Sequence, residues 1–481
     1  MNDKRKMAYT LDEIPKPFGK ALFLGIQHVL TMFGATVSVP LLLGPVMGMT
    51  PEQIAVLVAS VMLASGVATF LQVNLGTRLP IVQGVSFSFL GPFFGIIFAV
   101  MAMPDASPAL MMQYIAGAII LGSLVEMFIG FTGLIGKLQR FISPVVIGPV
   151  IALIGLSLWY VGAPNAAQNW LLAGIVIIAS FYFSLILGPK KPFFSLFPIL
   201  LAVLIAYGVG LILTLAGAYT PDTPGYIDFS SVGQAAWFRW NVFFPWGIPK
   251  FELGFFLVIL AGYLASMIES YGDYHAINAA AEGPPLTDKQ ISRGIGFEGV
   301  GCFFTGVFGG FASTSYTENI GLVGLTRVAS RYVVNIGVVV LIFLGIFGKF
   351  GAVVATIPGP IVGGLYCTLF GLIASIGISQ SAKADLSSMR NQMIIGFCLF
   401  MGISVPGIFT GTHLTEAVQL SFDWAPWLSN IINIVGSSGM AVAAIFGLIL
   451  DNVIPGTDEE RGLIVKERKI EHEPIKPFSE E

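Results

Sequence analysis

Apolar runs of about 20 residues recur along this chain, and a run of that length is what a helix needs to cross the hydrocarbon core of a bilayer. They lie near 20–43, 52–75, 81–101, 112–134, 142–161, 170–188, 195–216, 254–274, 294–311, 314–328, 332–350, 360–378, 392–410 and 430–450, fourteen in all. Lipid offers no partner to a backbone N–H or C=O, so only helices and closed barrels span it, and runs this long suit helices. The expected fold is an all-α polytopic membrane protein. Composition agrees: 55% of residues are hydrophobic and 11% charged, against roughly 25% charged in soluble domains. The mean hydropathy is +0.84.

Charge placement tests the number of spans. With both termini cytoplasmic, 21 of the 24 Lys and Arg fall on inside segments, and only Arg239, Lys250 and Lys349 fall outside. Cytoplasmic loops of membrane proteins carry this excess. The split predicts an even number of spans, a cytoplasmic N-terminal segment (1–19), an external loop (217–253) and a cytoplasmic tail (451–481). Trp237, Trp240 and Trp246 suit that external loop at a membrane interface. Met1–Lys20 is polar and is not read as a cleaved signal. Cys302, Cys367 and Cys398 sit in apolar runs without metal-type spacing and read as packing thiols. The chain has no Gly-x4-Gly-Lys-Ser/Thr loop for ATP, no His-Glu-x-x-His, no Cys/His cluster and no basic stripe for nucleic acid. No cofactor or metal is expected.

Two spans break the pattern. In the third, Pro80 and Pro92 bracket a stretch with Gln83, Ser86 and Ser88, and residues 85–89 alternate as a strand does. In the tenth, Phe311 to Thr317 alternates small and hydroxyl residues before Glu318 and Asn319. Both read as a short extended piece followed by a half-helix. Irregular backbone at membrane depth survives only where it is buried or lines a cavity. The two spans are seven apart, which points to an inverted repeat with a binding site between its halves. The hydroxyls of Thr314 and Thr317 are expected to cap a helix that starts mid-membrane. That start puts Glu318 and Asn319 at a positive helix end, where a polar ligand binds readily.

Four acidic residues lie inside spans: Glu126, Glu269, Glu298 and Glu318. A carboxylate at that depth costs about 2.5–3.5 kcal/mol on insertion scales, so it faces a cavity, a partner or a substrate. Glu269 and Asp273 are four apart and share a helix face. Glu126 has no polar neighbours in sequence and reads as a bridge between helices. Glu298 reads as structural or as a helper in a proton network. His28 is a packing group or a proton relay, since its ordinary range suits either. Phe87 and Phe89 read as lipid-facing or core side chains; Phe87, in the extended piece beside the expected site, alternatively stacks on a flat ring.

Glu318-Asn319-Ile320-Gly321, four residues, then Thr326-Arg327 resembles the signature of the nucleobase–ascorbate transporters, or nucleobase:cation symporter-2 family. The likeness runs from Gln27-His28 to Asp451-Asn452, through Leu79-Pro80, Ser86-Phe87-Ser88-Phe89 and Gly272-Asp273. It implies fourteen segments in two inverted repeats of seven, with short strands in segments three and ten. A core domain (20–134 and 254–350) would move against a gate domain (135–216 and 351–450), in a homodimer within the cell membrane. It further implies a base held by Glu269 and Glu318 beside Asn319, flanked by Phe87, with backbone amides near Ala35 and Tyr316 and Phe370 facing from the gate. The chemistry is consistent: carboxylates accept from ring N–H groups and a phenyl face packs on the plane. A neutral base needs a coupled cation, and burial disfavours the charged form of a carboxylate, so a buried carboxyl can carry a proton. Glu269 with Asp273 or His28 is the expected proton site; sodium coupling, known in some members, is the less favoured option. Glu318 resembles uracil-type members and Gly272-Asp273 purine-type ones, so xanthine and uracil are both retained, whereas ascorbate-type members carry Pro at the Glu318 position. The alternative is a small-anion transporter of the same architecture, which Glu318 disfavours by repulsion.

Overall fold

The structure, a computed structural model, describes residues 6–138, 141–411, 418 and 420–463. The expected inside charges at Lys4, Arg5 and Arg140, and the tail beyond residue 463, lie outside the described residues. Nine helices among those described are long and apolar enough to cross a membrane, and the apolar helices Phe87–Met101, Arg331–Ile346 and Gly439–Val453 are shorter. The chain is a helical, multi-pass membrane protein.

Two groups of helices pack side by side. The first contains α1 (Phe18–Val46), α2 (Pro51–Asn74), α3 (Leu90–Met101), α4 (Pro108–Thr132), α5 (Leu253–Ala280), α6 (Asp288–Val307), α7 (Thr317–Thr326) and α8 (Arg331–Ile346). Within it α4 packs on α6, α2 on α8 and α6, α1 on α8, and α5 on α4, α3 and α7. In the second group Gly359–Ser381 packs against Pro144–Leu156, Trp159–Ala167 and Trp170–Phe181, while Met389–Thr410 packs on Gly439–Val453. Narrow apolar crevices mark the seam between the groups. One lies between Gly34 and Val37 of α1 and Leu200 and Leu365 opposite; another lies between Ala265 of α5 and Val146 opposite.

Local chemistry sets the helix ends. Thr50 and Thr287 form capping boxes with Gln53 and Gln290, and Ser107 caps α4, which ends on left-handed Gly133. Two spans expected to be continuous are interrupted. The fifth breaks at Ser157 and Leu158. The last divides into Pro426–Gly436 and Gly439–Val453, with the Ser438 side chain capping the second piece. A Cβ on Gly439 would lie 2.2 Å from the Gly402 carbonyl, so only glycine permits that approach.

The extended pieces of the third and tenth spans pair with each other. β1 (Gln83–Val85) runs antiparallel to β2 (Ser313–Ser315), with Gly84 opposite Thr314. The ladder continues through Ser86 N to Ala312 O and Tyr316 N to Val82 O, both 3.0 Å. Backbone that no helix closes is thereby satisfied between the strands, as membrane depth requires. A short 3-10 turn (Phe87–Phe89) leads from β1 into α3, and β2 leads directly into α7. On one side of this group the N-terminal segment lies along the end of α7. Ala8 N donates to Arg327 O at 2.8 Å, and Arg331 N donates to Leu11 O at 2.9 Å. On another, the 217–253 loop anchors on α6 through Phe244 N to Val307 O at 2.8 Å.

Candidate functional site

The site forms where the two strands hand over to their half-helices. Glu318 is the second residue of α7. Its side chain is exposed to solvent. Glu269, half-buried on α5, accepts the Ser88 hydroxyl at 3.4 Å. Asp273, one turn further along α5, accepts the Thr317 hydroxyl on both oxygens at 3.1 Å. Tertiary folding therefore brings Glu269, Asp273 and Glu318 into one electrostatic neighbourhood.

The expected caps are not made. Tyr316 is the N-cap of α7 and provides no side-chain cap. Thr317 gives its hydroxyl to Asp273, a stronger acceptor, and Thr314 pairs with Ser270 at 3.1 Å. The first amides of α7 consequently lack a cap and have no helical carbonyl to bind, which leaves a positive helix end beside Glu318.

The backbone amides implied near Ala35 and Tyr316 are spent in this conformation. The Tyr316 amide belongs to Val82 O. Ala35 lies inside the continuous helix α1, where a helical N–H bonds to the carbonyl four residues back. Tyr316 instead supplies a wall: its ring is buried, its hydroxyl donates to Val85 O at 2.9 Å, and it accepts from Thr36 at 3.1 Å.

Phe87 is half-buried and packs against the apolar clusters of both helical groups, at the seam. Phe370, in the second group, stacks on Tyr366 with centroids 5.2 Å apart and planes 6° from parallel. His28 is not joined to Glu269 or Asp273 by any hydrogen bond among the described residues. It is buried and pairs with Asn319, whose Nδ2 stands 3.2 Å from His28 Nδ1 and donates to the His28 carbonyl at 3.0 Å. Asn319 thus ties α7 to α1.

Behind β2, Glu298 accepts the hydroxyls of Ser270 and Tyr274, each at 2.7 Å, with Ser266 at 3.2 Å and Ser315 at 3.5 Å. This hub goes unrecognised in the sequence reading. Its signal is present: Ser266, Ser270 and Tyr274 recur every four residues and so share one face of α5. Among the described residues no cluster of three metal-ligating side chains occurs.

A model of the permease family, named for xanthine and uracil permeases, matches residues 19–411. Human solute carrier family 23 member 2 is 34% identical over 95% of this chain and 76% of its own length. Nucleobase-ascorbate transporter 6 of Arabidopsis thaliana is 34% identical over 92% and 86%. In fold the chain is similar to the transmembrane domain of a cyanobacterial bicarbonate transporter, with TM-score 0.53 and 13% identity over 89% of this chain and 99% of that one. It is likewise similar to a murine solute carrier 26 family member A9 anion transporter in the inward-facing state, with TM-score 0.58 and 11% identity over 81% and 66%. The chain belongs to the nucleobase–ascorbate transporter, or nucleobase:cation symporter-2, family of permeases, whose members are membrane transporters rather than enzymes.

Proposed function

We propose that this permease imports a nucleobase, xanthine or uracil, across the cell membrane in symport with protons. The observation that carries the reading is the junction where Asp273 accepts the Thr317 hydroxyl next to Glu318, one helical turn from Glu269 and its partner Ser88, beside the uncapped start of α7 and the seam residue Phe87. Two carboxylates accept from the N–H groups of a neutral ring, early α7 amides donate to its carbonyls, and Phe87 covers its face. An anion such as ascorbate or bicarbonate meets repulsion there, so the fold shared with anion transporters does not extend to their substrates.

Fourteen segments in two inverted repeats account for the antiparallel pairing of β1 and β2 and for the parallel roles of spans three and ten. Residues 20–134 and 254–350 then form a core that carries the base, and 135–216 and 351–450 a gate with Phe370 facing the site. Both termini are cytoplasmic. The gate offers apolar faces to lipid and to a second copy in a homodimer. Glu269 and Asp273 take the coupling proton, and His28 acts on the site through Asn319.

Radiolabelled xanthine and uracil uptake, measured with and without a protonophore in cells lacking their own permeases, tests the function. Protonophore-sensitive uptake of one base is expected, with loss of binding but intact membrane insertion in Glu318→Ala. Uptake that persists without a proton gradient overturns symport, and normal binding by Glu318→Ala overturns the site.

A further inference from the structure

Glu126 stands apart from this site, and its surroundings are unusual. It is fully buried on α4, and neither carboxyl oxygen receives a hydrogen bond from any N–H or O–H among the described residues. The titratable groups that face it are Glu298 and Cys302 on α6 and Tyr263 and Tyr274 on α5. The third element packed against α4 is α3, which holds no titratable residue. Among the described residues no Lys, Arg or His forms an ion pair or hydrogen bond with it. The hydroxyls near it are committed elsewhere: Tyr263 to Ile119 O at 2.8 Å, Tyr274 to Glu298 at 2.7 Å and Ser123 to Ile120 O at 2.7 Å. The Cys302 thiol leans on Glu126, but it is a weak donor and also faces Ser313 O at 3.2 Å.

Helix packing keeps Glu126 in place. A Cβ on Gly299 would lie 2.8 Å from Met127 N, and one on Gly130 would lie 2.2 Å from Gly296 N, so α4 and α6 touch backbone to backbone. Glu298, on the facing helix, has the opposite environment. Four hydroxyls point at it, which is the solvation an ionised carboxylate needs. Two neighbouring carboxyls whose surroundings differ this much divide their protonation states.

We propose that Glu126 and Glu298 form a one-proton site distinct from Glu269 and Asp273, with the proton resident on Glu126. An ionised Glu126 here would be a buried charge without donor or counter-ion, which proteins avoid. Its neutral acid occupies the same space at a smaller cost than the ion. The proton leaves Glu126 when the α4–α6 seam opens enough to hydrate the carboxylate, and it then goes to water or to Glu298. In the second case the Glu126 O–H bond breaks as a Glu298 O–H bond forms, and the negative charge moves to Glu126. Ser270 then loses its ionised acceptor. Because Ser270 also pairs with Thr314 and receives a bond from Ser315 N at 3.3 Å, the change reaches β2 and the start of α7. The site thus supplies a second proton-linked control of the transport reading, on which that consequence rests, whereas the protonation state itself does not depend on any substrate.

Infrared difference spectroscopy of the purified full-length protein at neutral pH, without substrate, tests the assignment. A protonated-carboxyl C=O band that shifts in deuterium oxide is expected, and it is lost in Glu126→Gln. That variant retains base affinity. Identical spectra for the parent and Glu126→Gln overturn the proposal. So does a sodium-dependent thermal shift abolished by the variant, which would make this a metal-cation site. Glu126→Met, an apolar side chain of similar length, is expected to fold as well; failure of both variants to fold would mean that Glu126 is ionised and would overturn it. Failure of base binding in the parent would defeat the proposed function while leaving the infrared result standing.

Discussion

Gly84→Ala tests how tightly the strand crossing shapes the site. A Cβ at Gly84 would lie 2.6 Å from Tyr316 Cζ, 2.8 Å from Cε2 and 2.9 Å from the hydroxyl, where ordinary contact begins at 3.4 Å. The ring tip is the part that has to move, by about 0.8 Å, and it has little freedom. Tyr316 is 4% exposed, and its hydroxyl is bonded to both Val85 O and Thr36. Overpacking of a well-filled interior costs about 1–3 kcal/mol, and each hydrogen bond lost adds about 1 kcal/mol. A total near 3 kcal/mol corresponds to roughly 100-fold in an equilibrium constant. The cost divides between stability and base affinity, because Tyr316 is also the N-cap of α7. The expected outcome is a lower melting temperature in detergent together with weaker radioligand binding. In a Tyr316→Ala background the same substitution has no ring to strike, so its added cost should vanish. Wild-type melting and binding in Gly84→Ala, or an equal cost in both backgrounds, would refute the reasoning.

Tyr274→Phe removes a 2.7 Å hydrogen bond to Glu298; a bond to a charged acceptor contributes about 1.5–3 kcal/mol, so thermal unfolding should show a loss of that order, and no loss would contradict an ionised Glu298. Asp451→Asn should cost about 3–5 kcal/mol, because it leaves buried arginines without their counter-charge. Asp451 is inaccessible and bonded to Arg390 at 3.0 Å, Arg461 at 2.7 Å and Ser143 at 2.8 Å. Stability of the purified variant in a denaturant or thermal series measures this, and a change under 1 kcal/mol would mark the cluster as no more than a surface pair.

Much of this architecture is written locally. Apolar runs of spanning length specify membrane helices, and prolines and alternating small and hydroxyl residues mark extended pieces at the start of the third and tenth spans, where β1 and β2 form. Carboxylates inside apolar runs announce themselves by their cost, so Glu269 and Glu318 stand out in the sequence as candidates. Position along the chain does not say what each carboxylate meets. Glu126, Glu269 and Glu298 all lie inside apolar runs, yet one is half-buried against the Ser88 hydroxyl, one is solvated by four hydroxyls and one is sealed without a donor. That sorting comes from contacts between residues far apart in the chain: Ser88 to Glu269, Tyr274 to Glu298, and α4 pressed on α6 through glycines. The same holds for the amides of Ala35 and Tyr316, which the motif offers to a ligand and the helix and strand ladder consume. Hydropathy and spacing act within a few residues and so determine which segments span the membrane. Hydrogen-bond supply at membrane depth comes only from neighbouring segments, so which buried polar group is free to act was decided by the tertiary structure.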